Sequence, residues 1–195
     1  MVRHKRHRLV RSGVTLLWLG IWLGLLVGCT AQSAPTPTPD TAQVSALISQ
    51  ADRAYTAQDW ARAAELYGRL VQVQPNVAEW WIRYGWALRY TRQYEAALDA
   101  FARADALAPN AYWSAYGEGL TYLALKRYDE ALNALNRAIA IDPTRPGPHQ
   151  WRGRIYLKLK HYDAAIDVAL YGLNYIPDDE TLHNILNEAK RQLRW

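Results

Sequence analysis

"YGWALRYTRQYEAALDAFARADALAPN", residues 84–110, reads as one helix end, a short polar turn, a second helix and a stop. Gly85 and Ala97 are small at the places where two antiparallel helices would press together. Tyr94 stands where the second helix opens, and an aromatic there plugs the space between the pair. Pro109 then ends the second helix, because proline removes a backbone hydrogen bond and clashes with the preceding turn.

The same grammar repeats along the chain. "QPN", "APN", "DPT" and "IPD" place prolines at 75, 109, 143 and 177, each interval being 34 residues. A fixed period of this size points to a helical repeat array. Counting each unit from 31 residues before its proline, the units begin at Val44, Ala78, Tyr112 and Pro146. The eighth residue is then Ala51, Gly85, Gly119 or Gly153, the seventeenth Trp60, Tyr94, Tyr128 or Tyr162, and the twentieth always alanine (63, 97, 131 and 165). Each hairpin has an apolar face that it cannot bury alone, so neighbours must stack. No hydrophobic alternation of the strand type occurs anywhere, which makes the folded part all-α.

The pattern resembles the tetratricopeptide repeat over about 150 of the 195 residues. That resemblance implies a right-handed superhelix, an α-solenoid, of four helix-turn-helix hairpins at about 44–77, 78–111, 112–145 and 146–179. The fourth unit is small at Ala169 and Gly172, leaving room for something bulky. "DDETLHNILNEAKRQLRW", residues 178–195, can fill it as a capping helix over about 180–194. Its acids stand at the start and its bases, Lys190, Arg191 and Arg194, at the end, which suits the helix macrodipole.

The chain opens differently. Residues 1–28 hold five basic residues and no acid, and Val14–Gly28 is an apolar run of 15 residues. As a helix that run spans about 22 Å, short of a bilayer core of about 30 Å and of the length of a signal-peptide core. "LVGC", Leu26 to Cys29, resembles the lipobox of bacterial lipoproteins. The resemblance implies a signal peptide over 1–28, cleavage before Cys29 and lipid on its sulfur. The alternative is an uncleaved single-span anchor. Two or more acyl chains give stable anchoring, and the location expected is the cell membrane or outer membrane, outside the cytoplasm. Residues 29–41 follow as the lipidated cysteine and a Pro/Thr-rich linker, with the repeat domain over 42–195. In extended polyproline form, residues 30–41 reach about 35 Å. Cys29 is the only cysteine, so no internal disulfide forms.

Charge and chemistry narrow the function. Removing the basic N-terminus leaves 18 basic against 18 acidic residues, so the net charge of +5 is no argument for nucleic acid. His149, His161 and His183 form no HExxH or paired metal spacing, and no phosphate-binding or nucleophile motif is present. "DDE" at 178–180 is explained by a helix N-terminus. The expectation is therefore a chain with no catalytic residues, cofactor or metal.

In this fold the first helix of each hairpin lines the concave side, through its second, fifth, ninth and twelfth residues. Here those include Glu79, Ile82, Trp86, Arg89, Trp113, Tyr116, Leu120, Leu123 and Arg154, with Arg83 and Trp151 one place over. Aromatics beside arginine make binding hot spots. The same groups also serve as packing between repeats. The candidate partner-binding groove is thus Arg83, Trp86, Arg89, Trp113, Tyr116, Trp151 and Arg154. First helices hold 10 basic and 3 acidic residues and second helices 4 and 10, though part of that bias, Lys126 included, matches helix dipoles. A protein or peptide partner is expected. A glycan or other small ligand stacked on Trp86 and Trp113 is the alternative, as part of an accessory or sensor module. The carboxylate clamp known in this family is not carried over, because no Asn occupies its places.

Overall fold

Each 34-residue unit folds as a helical hairpin. The computed structural model describes residues 40–193, so the expected signal peptide, Cys29, most of the linker, Arg194 and Trp195 lie outside the described residues. Helices α1 (Thr41–Thr56) and α2 (Trp60–Val73) make the first hairpin, and α3 (Ala78–Tyr90) and α4 (Tyr94–Leu107) the second. The third is α5 (Tyr112–Ala124) with α6 (Tyr128–Ile141), and the fourth α7 (Pro146–Lys158) with α8 (Tyr162–Leu173). A ninth helix, α9 (Glu180–Gln192), closes the array, and no strand occurs among the described residues. The architecture is the four-hairpin solenoid that the resemblance implies, with α9 at the place of the expected capping helix.

The second helices start on the aromatic residues of the repeat, Trp60, Tyr94, Tyr128 and Tyr162. Two residues before each, Gln58, Arg92, Lys126 and Lys160 adopt left-handed backbone, with φ between 58° and 62°. In each turn the next amide donates five residues back, as Gln93 N–H does to the Leu88 carbonyl and Arg127 N–H to that of Tyr122, both at 2.9 Å. This is the Schellman closure of a helix end, here without the usual glycine. α1 begins three residues before the repeat count does. Asp40 sits at its N-cap, where the carboxylate accepts a bond from the Ala42 amide at 3.4 Å.

Close approach explains the repeat's glycines. Phe101 of α4 is 0% exposed and lies against Gly85 of α3 and Gly117 of α5. A Cβ on Gly85 would stand 2.7 Å from the phenyl ring, so α4 can wedge between the two first helices only when both are bare there. Leu135 fills the same place in the third hairpin, 2.9 Å from where a Cβ on Gly119 would be.

In the fourth hairpin that wedge position is Ala169, too small to fill it, and α9 supplies the volume. Ile185 covers Gly153 and Leu182 covers Gly172, at 2.9 and 2.7 Å from the corresponding Cβ sites. Leu182, Ile185, Leu186 and Ala189 are all buried. Burying each of the three large side chains contributes about 1.5–3 kcal/mol as an upper estimate. Asp179 caps α9 by accepting from the Leu182 amide and also accepts from Gln150 of α7, both at 2.8 Å. The "DDE" acids therefore serve a helix start.

His149 belongs to this core. It is 0% exposed, bonds through Nε2 to the Pro143 carbonyl oxygen at 2.9 Å and stacks on Tyr175 at 6.3 Å. Burial holds its imidazole below the ordinary histidine range. Arg137 of α6 ties neighbouring repeats together, pairing with Asp105 of α4 at 2.7 Å and with Glu118 of α5. Burial pushes the Glu118 carboxyl up despite that partner.

Candidate functional site

The first helices share one face, and two cavities open on it. The first has a volume of about 470 Å³ and is lined by Tyr55 of α1, by Glu79, Ile82, Arg83, Trp86 and Tyr90 of α3, and by Trp113, Tyr116 and Leu120 of α5. The second, of about 390 Å³, is lined by Arg89, by Leu120, Leu123 and Ala124 of α5, by Lys126 and Tyr128, and by Trp151, Arg154, Ile155 and Lys158 of α7. Leu120 borders both. The residues at the second, fifth, ninth and twelfth places of the first helices supply most of the first wall.

The aromatic side chains have unequal roles. Trp113 is 49% exposed at the start of α5. Tyr112 meets it edge-on at 5.1 Å, and the Arg145 guanidinium lies over its ring at 5.0 Å. Trp86 is only 7% exposed. Its ring lies near Phe101, Trp113 and Tyr116 at 6.0–6.2 Å, and its indole N–H donates to the Trp113 carbonyl at 3.1 Å. Trp86 is thus a wall that joins α3 to α5, with little free surface. Its ring stands at 75° to that of Trp113, so the two present no common stacking platform. Tyr90, 47% exposed and stacked on Trp60 at 4.1 Å, adds an open ring to the first cavity. Burial pushes the Tyr55 phenol up to about 12, and Tyr116 is raised for the same reason, so both stay neutral donors at physiological pH.

The cations divide as well. Arg83 is internally matched: it donates to Asp52 at 2.9 Å, to Glu79 at 2.6 Å and to the Tyr67 hydroxyl at 3.2 Å. Burial pulls its guanidinium down, but the bonds to Glu79 and Tyr67 outweigh this and hold it above the usual arginine range. Arg89, Arg154, Lys126 and Lys158 have no carboxylate within ion-pair distance among the described residues. Instead Arg89 lies over Trp86 and Tyr90 at 5.6 and 5.4 Å, Arg154 over Trp151 at 5.0 Å and Lys158 over Tyr128 at 5.7 Å. The Arg89 Nε is buried without a hydrogen-bond partner.

All seven sequence-predicted groove residues border the two cavities. Arg83, Trp86, Trp113 and Tyr116 line the first, and Arg89, Trp151 and Arg154 the second. Sequence reasoning missed Tyr90, Lys126, Tyr128 and Lys158. Tyr90 and Lys158 follow Trp86 and Arg154 by four residues on the same helix face, a signal that was present. No three His, Cys, Asp or Glu residues sit where they could hold a metal ion among the described residues.

A helical-repeat solenoid with a groove along its first helices is the class that this fold defines. The chain carries tetratricopeptide repeats: one family model, described as a tetratricopeptide repeat, matches residues 48–112, and a second, described as a TPR repeat, matches residues 119–160. Among solved structures, residues 41 to the end of MamA from Desulfovibrio magneticus RS-1 match at 19% identity, covering 80% of this chain and 92% of that one, with a TM-score of 0.68. MamA of strain AMB-1 matches at 20% identity over 79% and 84% of the two chains, also at 0.68. The TPR domain of Arabidopsis OM64 matches at 16% identity over 58% and 94%, at 0.56. At such identities the likeness is one of fold. No curated protein matches the chain significantly. Repeats of this kind are generally non-catalytic interaction modules, and the fold is consistent with a protein–protein interaction scaffold.

Proposed function

We propose that this chain is a lipid-anchored, non-catalytic scaffold or assembly factor of a bacterial cell envelope, whose groove holds a segment of a protein partner. The observation that carries the binding half is the pair of adjoining cavities, which runs from α1 to α7 and exposes half of Trp113. A site of that extent suits an extended segment. The crossed rings of Trp86 and Trp113 and the burial of Trp86 argue against a sugar stacked between them. The anchor half rests on the short apolar run, "LVGC" and the Pro/Thr linker.

Two experiments test the two halves. Cys29→Ser should leave the precursor uncleaved and unlabelled by radioactive palmitate; a wild type that takes up no lipid refutes the lipoprotein reading and leaves the single-span anchor. Crosslinking in intact membranes and capture of the tagged chain should recover a partner that Trp113→Ala or Arg89→Ala releases, by about 30-fold for a hot-spot residue. Asp99→Lys, on the second-helix face, should release nothing. The opposite pattern places the partner on the outer face.

A further inference from the structure

The groove is chemically two-ended, and the two ends together specify an occupant. The first cavity is aromatic, and its charges are self-matched: Arg83 is held by Asp52 and Glu79. The second is lined by four cations and no acid, and none of the four has an ion-pair partner among the described residues. They come from four separate places, the end of α3, the α5–α6 turn and two turns of α7. Lys126 is carried there by its left-handed turn residue, φ 60°. Four like charges around one cavity repel one another, a cost that an anionic occupant would relieve.

We propose that Arg89, Lys126, Arg154 and Lys158 receive the carboxylates of an acidic protein segment whose apolar or aromatic side chain fills the neighbouring aromatic cavity. This deepens the partner reading above and rests on it. One carboxylate cannot match four cations, so the segment carries at least two acids. From Tyr116, inside the first cavity, to Leu123, inside the second, α5 rises about 10 Å, which an extended strand covers in about three residues. The recognised pattern is therefore an apolar anchor followed about three residues on by paired Asp or Glu. Charge complementarity favours protein over nucleic acid. Acid and base balance over residues 29–195, and at the groove's other end the lining cation, Arg83, is already held by Glu79 and Asp52, so a continuous phosphate chain finds no free cation there. The cations ring a cavity between helices, a shape that a flat lipid surface does not enter.

The test uses the detergent-solubilised full chain and three fluorescent nonapeptides. Each carries Phe and, three and four residues later, Glu-Glu, Gln-Gln or Lys-Lys; an oligothymidine is the fourth probe. The Glu peptide should bind about ten-fold tighter than the Gln peptide, as two exposed ion pairs allow, and the Lys peptide weakest. The advantage should vanish at about 0.5 M salt. Arg154→Glu with Lys158→Glu should invert the order towards the Lys peptide, with helicity unchanged by circular dichroism. Lys190→Glu, on the exposed face of α9, should leave it as it was. Equal affinity for the Glu and Gln peptides, no binding of the Glu peptide, or tighter binding of the oligothymidine overturns the proposal. If captured partner still depends on Trp113 while the Glu and Gln peptides bind alike, the acidic specificity falls and the groove stands. If capture ignores Trp113, the groove reading itself falls.

Discussion

Replacing Trp86 and Trp113 one at a time by alanine should separate packing from recognition. The two indoles are 6.2 Å apart, yet Trp86 is 7% exposed and Trp113 49%. Truncating a buried Trp costs about 3–5 kcal/mol. Trp86→Ala also leaves the Trp113 carbonyl without its indole donor. Trp113 has about half its surface to lose, so its truncation costs half of a full aromatic burial, about 0.8–1.5 kcal/mol. For a chain of this size each kcal/mol moves Tm by about 2–4 °C. Trp86→Ala should therefore lower Tm by about 6–20 °C and Trp113→Ala by about 2–6 °C. Trp86 joins α3 to α5, so its loss should also broaden the transition, because repeat arrays lose cooperativity at a weakened joint. Far-ultraviolet circular dichroism on heating, with the full chain in mild detergent, reads both. Equal losses, or the larger loss at Trp113, would refute the division of roles.

Three further outcomes follow from the structure. Deleting residues 178–195 uncovers Gly153, Ala169 and Gly172, and should cause aggregation or a clear fall in Tm; Leu182→Ala alone should cost about 2–5 kcal/mol, and a truncated chain that stays monomeric and equally stable would show that α9 is no cap. Burial depresses His149, so the folded chain binds that proton less readily than the unfolded one; stability should be full above the unfolded value near 6.5 and fall as pH drops through it towards the folded value. Arg152 opposes that proton and Asp179 favours it, and His149→Phe should flatten the slope between pH of about 7 and 5.5 if His149 is its source. Gln58→Gly should leave stability unchanged or slightly raised in thermal melts, since glycine relieves the left-handed strain but adds unfolded-state entropy; a large loss would mean that the side chain itself holds the turn.

Much of the fold was legible because each repeat position has a steric duty. Proline stops, the seventeenth aromatic opens, and glycine or alanine marks close approach, as Phe101 against Gly85 shows. The gap at Ala169 and Gly172 even announced α9. The hairpin turns were not legible: Gln58, Arg92, Lys126 and Lys160 carry positive φ without the glycine or asparagine that usually signals it. The seven residues taken from the groove register line the two cavities, but the balance of roles within those cavities was not legible. Trp86 looked as available as Trp113, because sequence does not show that α5 covers it. The full pairing of Arg83 was not legible: Glu79 lies four residues away on the same helix, but Asp52 and Tyr67 lie 31 and 16 residues away. Lys126 was assigned to a helix dipole, an explanation true of any helix end, while the turn geometry also carries it to the cavity.

The central claim is that the groove along the first helices is the working surface. A photo-crosslinking amino acid at Tyr90, open in the first cavity, and another at Asp99, exposed on α4, ask this directly in intact membranes. The account predicts one discrete crosslinked partner from position 90, lost with Trp113→Ala, and none from position 99. A partner captured from position 99 and absent from position 90 would contradict it.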